Sequence, residues 1–177
     1  VYDRCFCKGQ PKSALPVAAL ALLLILLLPV HLINKPLFLW LNSLHSPLTD
    51  TFWLTFTTMG DGLFLWIIIG AFVVKNPRVT VLGLILIVLA TVLVHMLKAA
   101  FPGPRPAAAG LGPIHVVGPL LRSGSFPSGH TAAAISAALA VWRCYESRLV
   151  GGLAILVAML IALSRIFVGA HFPQDLV

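Results

Sequence analysis

Residues 79–100 read VTVLGLILIVLATVLVHMLKAA, with a single formally charged side chain, Lys98, near the end. As helix this stretch is about 33 Å long, close to the thickness of a bilayer's hydrocarbon core. It runs into Pro102, Pro104 and Pro106, which cannot continue a helix. A segment this apolar must satisfy its backbone polar groups internally, which points to an all-α, polytopic membrane bundle. Lys98 then sits in the last turn of a span, at a membrane face.

The sequence on either side fits the same reading. The chain has 177 residues, 59% of them hydrophobic and 10% charged, with a mean hydropathy of +1.01, outside the balance of soluble domains. Upstream, Leu15–Ile33 follows a basic tail containing Arg4, Lys8 and Lys12. It lacks a small-residue cleavage site and is expected to be a retained first span rather than a signal peptide. Lys35–Met59 is semi-polar, with Leu37, Leu41, Leu44 and Leu48 at helical spacing, and is expected to be an interfacial helix. Leu63–Val74 is a short second span that must recruit residues before Gly62 or sit in thinner surroundings. Downstream, Ser128–Trp142 is a fourth span whose small residues allow close, central packing. Leu149–Val168 is a fifth, closed by Gly169, and Pro173 opens another helix. The expectation is one integral-membrane domain over residues 1–177, with about six transmembrane helices and the last one cut short.

The net charge of +7 does not read as a nucleic-acid surface, because the Lys and Arg residues lie mostly between apolar segments and no aromatics are interleaved with them. Alternation of spans puts the tail, Lys75, Arg78, Arg143 and Arg148 on one side, which the positive-inside rule makes cytoplasmic. Lys35, Lys98, Arg105, Arg122 and Arg165 fall on the other. The expected location is a plasma (bacterial inner) membrane, with the functional site on the non-cytoplasmic face. Cys5, Cys7 and Cys144 form neither a disulfide framework nor a four-ligand metal set and are placed on the reducing side.

Three short segments put ionisable groups at span ends, where a charge without a function is costly. In the first, Lys98 and Arg105 are brought together by the intervening prolines, a point charge and a two-pronged donor suited to a phosphate. Taken alone, they also fit lipid-headgroup anchors. In the second, Pro127-Ser128-Gly129-His130 opens a helix: Ser128 caps it, Gly129 allows close approach to free backbone N–H groups, and His130 brings a proton donor. An ordinary cap with a structural histidine is the plainer alternative. In the third, Arg165 ends a span, His171 follows Gly169, and Asp175 lies one helical turn beyond His171. A carboxylate holding Nδ1–H would leave the Nε2 lone pair free to attack. The alternative is a helix-terminal ion pair. A zinc site is disfavoured because Lys98, Arg105 and Arg165 would repel a divalent cation and suit an anion.

Together the three segments resemble the signature of the type 2 phosphatidic-acid phosphatase superfamily, matching every signature position from Lys98 to Asp175. The resemblance implies a six-helix membrane phosphatase that needs no metal or cofactor and works through a covalent phosphohistidine. Carried onto this sequence, it implies His171 as nucleophile, Asp175 as its orienter and His130 as the acid for the leaving group. Lys98, Arg105 and Arg165 would clamp the phosphoryl oxygens, with Ser128 and the Gly129 backbone completing the cradle. The implied partners are the bilayer and a phosphorylated lipid, with no nucleic acid and no required protein partner. The candidate lipids are undecaprenyl pyrophosphate, phosphatidylglycerophosphate, phosphatidic acid and the 1-phosphate of lipid A. The family's last membrane helix is expected beyond Val177. The rival readings are a lipid phosphotransferase using the same intermediate and an anion transporter. A soluble vanadate-dependent haloperoxidase is disfavoured by the apolar spans. Asp61 is expected to cap the helix after it, or else to reach the substrate. His95 is placed to support Lys98 or to serve its own helix. His31, His45 and His115 have no case for catalysis.

Overall fold

The computed structural model describes residues 33–176. The expected first span and the tail cysteines Cys5 and Cys7 lie outside the described residues, save for Ile33. Among the described residues every regular element is helical, and the only ladder-like pairing is an isolated bridge between Pro104 and Ser123.

Residues 33–43 form helix α1, followed by α2 (Pro47–Met59) and α3 (Gly62–Ala71). The expected single interfacial helix over Lys35–Met59 is therefore divided in two. The reason is local: Ser46 is extended, its side chain accepts from Thr49 N–H while Thr49 accepts back from Ser46 N–H, and Pro47 opens the new helix. Asp61 caps α3 by accepting from Leu63 N–H at 2.9 Å. α3 has only 10 residues, about 15 Å of helix. It joins α2 through a 65° bend, and the pair together is long and apolar enough to cross a membrane as one broken span.

α4 (Pro77–Ala100) and α6 (Arg148–Phe167) are each long and apolar enough to span alone. Between them lies α5 (Gly129–Cys144), which at 16 residues, about 24 Å, is shorter than a typical span. α5 takes the central place that its composition predicts. Its Ala133, Ala134, Ala137, Ala138 and Ala140 are buried, and it packs against both α4 and α6. The outer face of α4 leaves Val81, Ile85, Leu89, Val92 and Met96 exposed at helical spacing, as a lipid-facing stripe requires.

The site-bearing end is fixed by polar fasteners. Asn42 of α1 accepts from His115 N–H at 2.9 Å and donates to the carbonyls of His115 (2.8 Å) and Phe167 (3.3 Å). It thereby ties the long loop after α4 to the end of α6. Asn34 accepts from Gln174 N–H at 3.0 Å, and buried Phe38 meets Phe172 edge-on at 5.3 Å. Gly169 ends α6 with φ +74, and a short 3-10 turn, Pro173–Leu176, follows instead of the start of an α-helix.

Candidate active site

The last turn of α4, the loop from residue 101 to 126, the start of α5 and the segment after α6 converge at one end of the bundle. Lys98 reaches from α4 into the loop and donates to the Gly124 carbonyl. Arg105 is buried and held on several sides. Its Nε donates to Ser123 O at 2.9 Å and its Nη1 to Ala170 O at 3.2 Å. The same Nη1 lies 3.2 Å from His171 Nε2. Burial pulls the Arg105 guanidinium below its usual range and the charge of Asp175 opposes that, yet a guanidinium stays protonated.

A guanidinium can only donate, so the His171 nitrogen facing it must accept. The Nε2 lone pair is therefore free of a proton, and in the neutral ring the proton sits on Nδ1, facing Asp175. His171 is 2% exposed. Burial pushes its imidazole down to about 4; the Arg105 and Arg165 charges act in the same direction, and Asp175 opposes them. His171 is thus neutral at ordinary pH.

Asp175 Oδ2 lies 3.6 Å from His171 Nδ1, a close charge contact but too long for a hydrogen bond. The carboxylate is oriented from elsewhere: Oδ2 accepts from Ser125 Oγ and, at 2.8 Å, from Phe172 N–H. The i, i+4 spacing does bring the pair together, but a 3-10 turn and a loop serine set the carboxylate's direction. Ser128 N–H donates to the Asp175 carbonyl at 2.7 Å, which locks the second segment to the third. The backbone N–H groups of Ala170 and His171 both donate to Arg165 O, at 3.0 and 3.1 Å.

Ser128 caps α5 and is buried. A Cβ on Gly129 would meet only Val94 Cγ1, at 3.8 Å, so this glycine leaves the mouth of the helix N-terminus open. His130 is half-buried one residue into α5 and lies against the bend between α2 and α3. A Cβ added to Gly60 would stand 3.4 Å from both His130 Cβ and Cδ2. Arg165 is buried at the end of α6, with Nη1 donating to Thr57 Oγ1 at 2.9 Å and Nε without a hydrogen-bond partner.

Lys98 feels the charges of Arg105, Asp175 and Arg165, His130 those of Arg165, Asp61, His171 and Arg105, and His171 those of Arg105, Arg165 and Asp175, so these groups form one connected electrostatic set. Against the carboxylates of Asp175 and, beside His130, Asp61, the three cations leave an excess of positive charge and of unspent N–H groups, which suits a polyoxyanion. Among the described residues, no three His, Cys, Asp or Glu side chains stand together as metal ligands would.

The remaining residues singled out in the sequence do other work. Asp61 caps α3, and His95 Nδ1 lies 2.8 Å from Thr91 O on its own helix. His115 Nε2 pairs with Asp50 at 2.8 Å and stacks on His45 with ring centroids 4.1 Å apart. Sequence reading missed Ser125, Thr57 and Gly60. Ser125 lies in the long loop between α4 and α5, and nothing in the pattern around Thr57 sets it apart.

The model of the PAP2 superfamily matches residues 78–177. Undecaprenyl-diphosphatase BcrC of Bacillus subtilis (strain 168) is 31% identical over 81 residues, which is 46% of this chain and 40% of that protein. The match thus spans less than half of that relative's length. The crystal structure of Aquifex aeolicus LpxE is 36% identical, with a TM-score of 0.74 over 81% of this chain and 86% of that one. A transmembrane PAP2-type phosphatidylglycerolphosphate phosphatase from Bacillus subtilis shares the fold, with a TM-score of 0.69 at 24% identity, covering 91% of this chain and 86% of that one.

Proposed function

The chain belongs to the PAP2 superfamily, and from that premise we propose that it is a membrane lipid phosphatase acting through a phosphohistidine on His171. The observation that carries this reading is the buried, neutral His171, whose Nε2 lone pair faces the Arg105 guanidinium at 3.2 Å. A nucleophile is thereby held unprotonated next to the cations that would bind its target.

As the phosphoryl group enters, Arg105 Nη1 turns from Nε2 to a phosphoryl oxygen and the lone pair is released. Nε2 attacks phosphorus in line, an N–P bond forms, and the P–O bond to the lipid breaks. His130 gives its proton to the departing oxygen, while the positive charge on the His171 ring is balanced by Asp175. In the second half His130 takes a proton from water, the water oxygen attacks phosphorus, and the N–P bond breaks to give inorganic phosphate. Lys98, Arg105, Arg165 and the N–H groups at Gly129 stabilise charge on the equatorial oxygens, where phosphoryl transfer needs it most.

An apolar groove of about 290 Å³ runs between α3, α5 and α6, lined by residues including Leu65, Ala134, Ala138 and Ile161. Its Ile161 end adjoins Gly60 beside His130. This supports an amphiphilic substrate whose tail lies among the helices while its headgroup reaches the cations. Undecaprenyl pyrophosphate gains weight from the relative named as an undecaprenyl-diphosphatase. Phosphatidylglycerophosphate, phosphatidic acid and the 1-phosphate of lipid A stay in the set to be tested. The site is assigned to the non-cytoplasmic face, in a core of six helices.

The test is phosphate release from the four lipids in detergent with EDTA present, comparing the unaltered protein with His171→Ala. Release that survives EDTA and is lost in the variant is the expected result and ranks the substrates. Equal release by His171→Ala, or dependence on added metal, would overturn the reading.

A further inference from the structure

Beyond Thr49, which caps the helix with Ser46, the threonines of α2 behave alike with one exception. Thr51, Thr55 and Thr58 each turn their hydroxyl back onto their own helix, donating to the carbonyls of Pro47, Thr51 and Leu54 at 2.9 Å. This is the usual habit of threonine in a helix. Thr57 turns away instead. Its Oγ1 lies 2.8 Å from Ser164 Oγ and 2.9 Å from Arg165 Nη1, both on α6.

The direction of these bonds is fixed. Arg165 can only donate, so Thr57 Oγ1 accepts from it. Ser164 gives its single hydroxyl proton to Ile161 O at 2.6 Å, so the Thr57–Ser164 bond must run from the Thr57 hydroxyl to Ser164 Oγ. A one-way relay results: Arg165 to Thr57, Thr57 to Ser164, Ser164 to the Ile161 carbonyl. Each hydroxyl donates once and accepts once, and the relay begins at a charged donor, which makes its first bond the strongest. Ser164 is fully buried, and the stacking of Trp53 on Phe167, with centroids 4.2 Å apart, holds the two helices in register beside it.

The bond at Nη1 restrains the guanidinium, and its buried Nε has no partner within the protein. A buried donor left open is costly unless something else fills it. We infer that Thr57, which lies outside the segment matching the family, is a positioning residue: it locks the Arg165 guanidinium so that Nε is presented to a tetrahedral oxyanion in the site. This rests on the reading of Arg165 as part of the phosphate clamp.

The test measures binding of orthovanadate to the full chain in detergent by calorimetry, alongside phosphate release. Thr57→Val, which keeps the shape and removes the hydroxyl, is expected to weaken orthovanadate binding and to lower kcat/KM by about tenfold each, the scale of one lost charge-assisted hydrogen bond. Thr57→Ser should recover most of that loss, and in an Arg165→Ala background Thr57→Val should add nothing. If Thr57→Val does not purify folded, Ser164→Ala, which removes the acceptor for the Thr57 hydroxyl, is expected to weaken orthovanadate binding in the same direction. Orthovanadate affinity within twofold of the unaltered protein in whichever variant folds overturns the proposal. So does a Thr57→Ser variant as poor as Thr57→Val, or losses that multiply with Arg165→Ala. An unaltered protein that binds orthovanadate but releases no lipid phosphate sinks the phosphatase reading, while the Thr57 comparison still decides this one. An unaltered protein that binds no orthovanadate sinks both.

Discussion

Burial holds the His171 imidazole at about 4, below the ordinary histidine value of 6.5, and this has a consequence for stability as well as for catalysis. Between those two values the unfolded chain takes up the proton and the folded one resists it. The contribution of His171 to stability is therefore complete above pH 6.5 and is lost as pH falls toward 4, by up to about 3 kcal/mol. We predict that the melting temperature in detergent falls over this window and that His171→Gln flattens the fall. A variant melting as steeply as the unaltered protein would show that another group sets the slope. The acid limb of kcat/KM should likewise lie near pH 4. At this scale the sequence was readable where residue type and spacing carry chemistry. His171 and Asp175 are four apart and meet, and Arg165, Arg105 and Lys98 converge as charged groups at span ends must. Ser125 and Thr57 were not readable, because a serine in a loop and a threonine among threonines acquire a role only once distant segments meet.

At the scale of elements, the bend between α2 and α3 shows why composition misplaced a boundary. Leu63–Val74 has too few apolar residues to cross a bilayer, and the preceding stretch is mixed enough to look interfacial, yet the two join at Gly60 into one bent unit. The bend lets the backbone at Gly60 approach His130 closely. Gly60 has ordinary helical dihedrals (φ −82, ψ −3), so an alanine there carries no backbone strain. The obstacle is purely steric: a Cβ would collide with Ile161 Cγ2 and crowd the His130 ring. Gly60→Ala is predicted to destabilise by about 1–3 kcal/mol, the usual cost of overpacking. It should also lower kcat by more than it raises KM, because it displaces the acid rather than the phosphate clamp. Thermal melting and steady-state kinetics on the same preparation check this, and an alanine variant with unchanged kcat would detach Gly60 from His130. Long apolar helices were placed well: α4 and α6 agree with their expected spans to within about two residues.

Across the whole molecule, the two ends of the helices differ in what their cations do. At one end Asn76 donates to Cys144 O at 3.0 Å and Phe72 meets Tyr145 edge-on at 5.9 Å, bringing the turn of Lys75 and Arg78 beside that of Arg143 and Arg148. The turn of Arg143 and Arg148 also carries the exposed Glu146, and a cluster of four cations at one end is what orientation by charge requires. At the other end Lys98, Arg105 and Arg165 are engaged with loop carbonyls, His171 and Thr57. Their charge is bound up in the site and should weigh little in topology. The basic end should then be cytoplasmic and the catalytic end should face outward, where a lipid headgroup of the outer leaflet can reach it. Single cysteines placed in a protein with Cys5, Cys7 and Cys144 changed to serine test this orientation in intact cells. Arg122→Cys, exposed in the loop over the site, should react with a membrane-impermeant maleimide before the cells are opened. Glu146→Cys, exposed in the turn between α5 and α6, should react only afterwards. The reverse pattern would turn the site toward the cytoplasm and restrict its substrates to inner-leaflet lipids, and early labelling at both positions would break the assignment of the two ends to opposite faces.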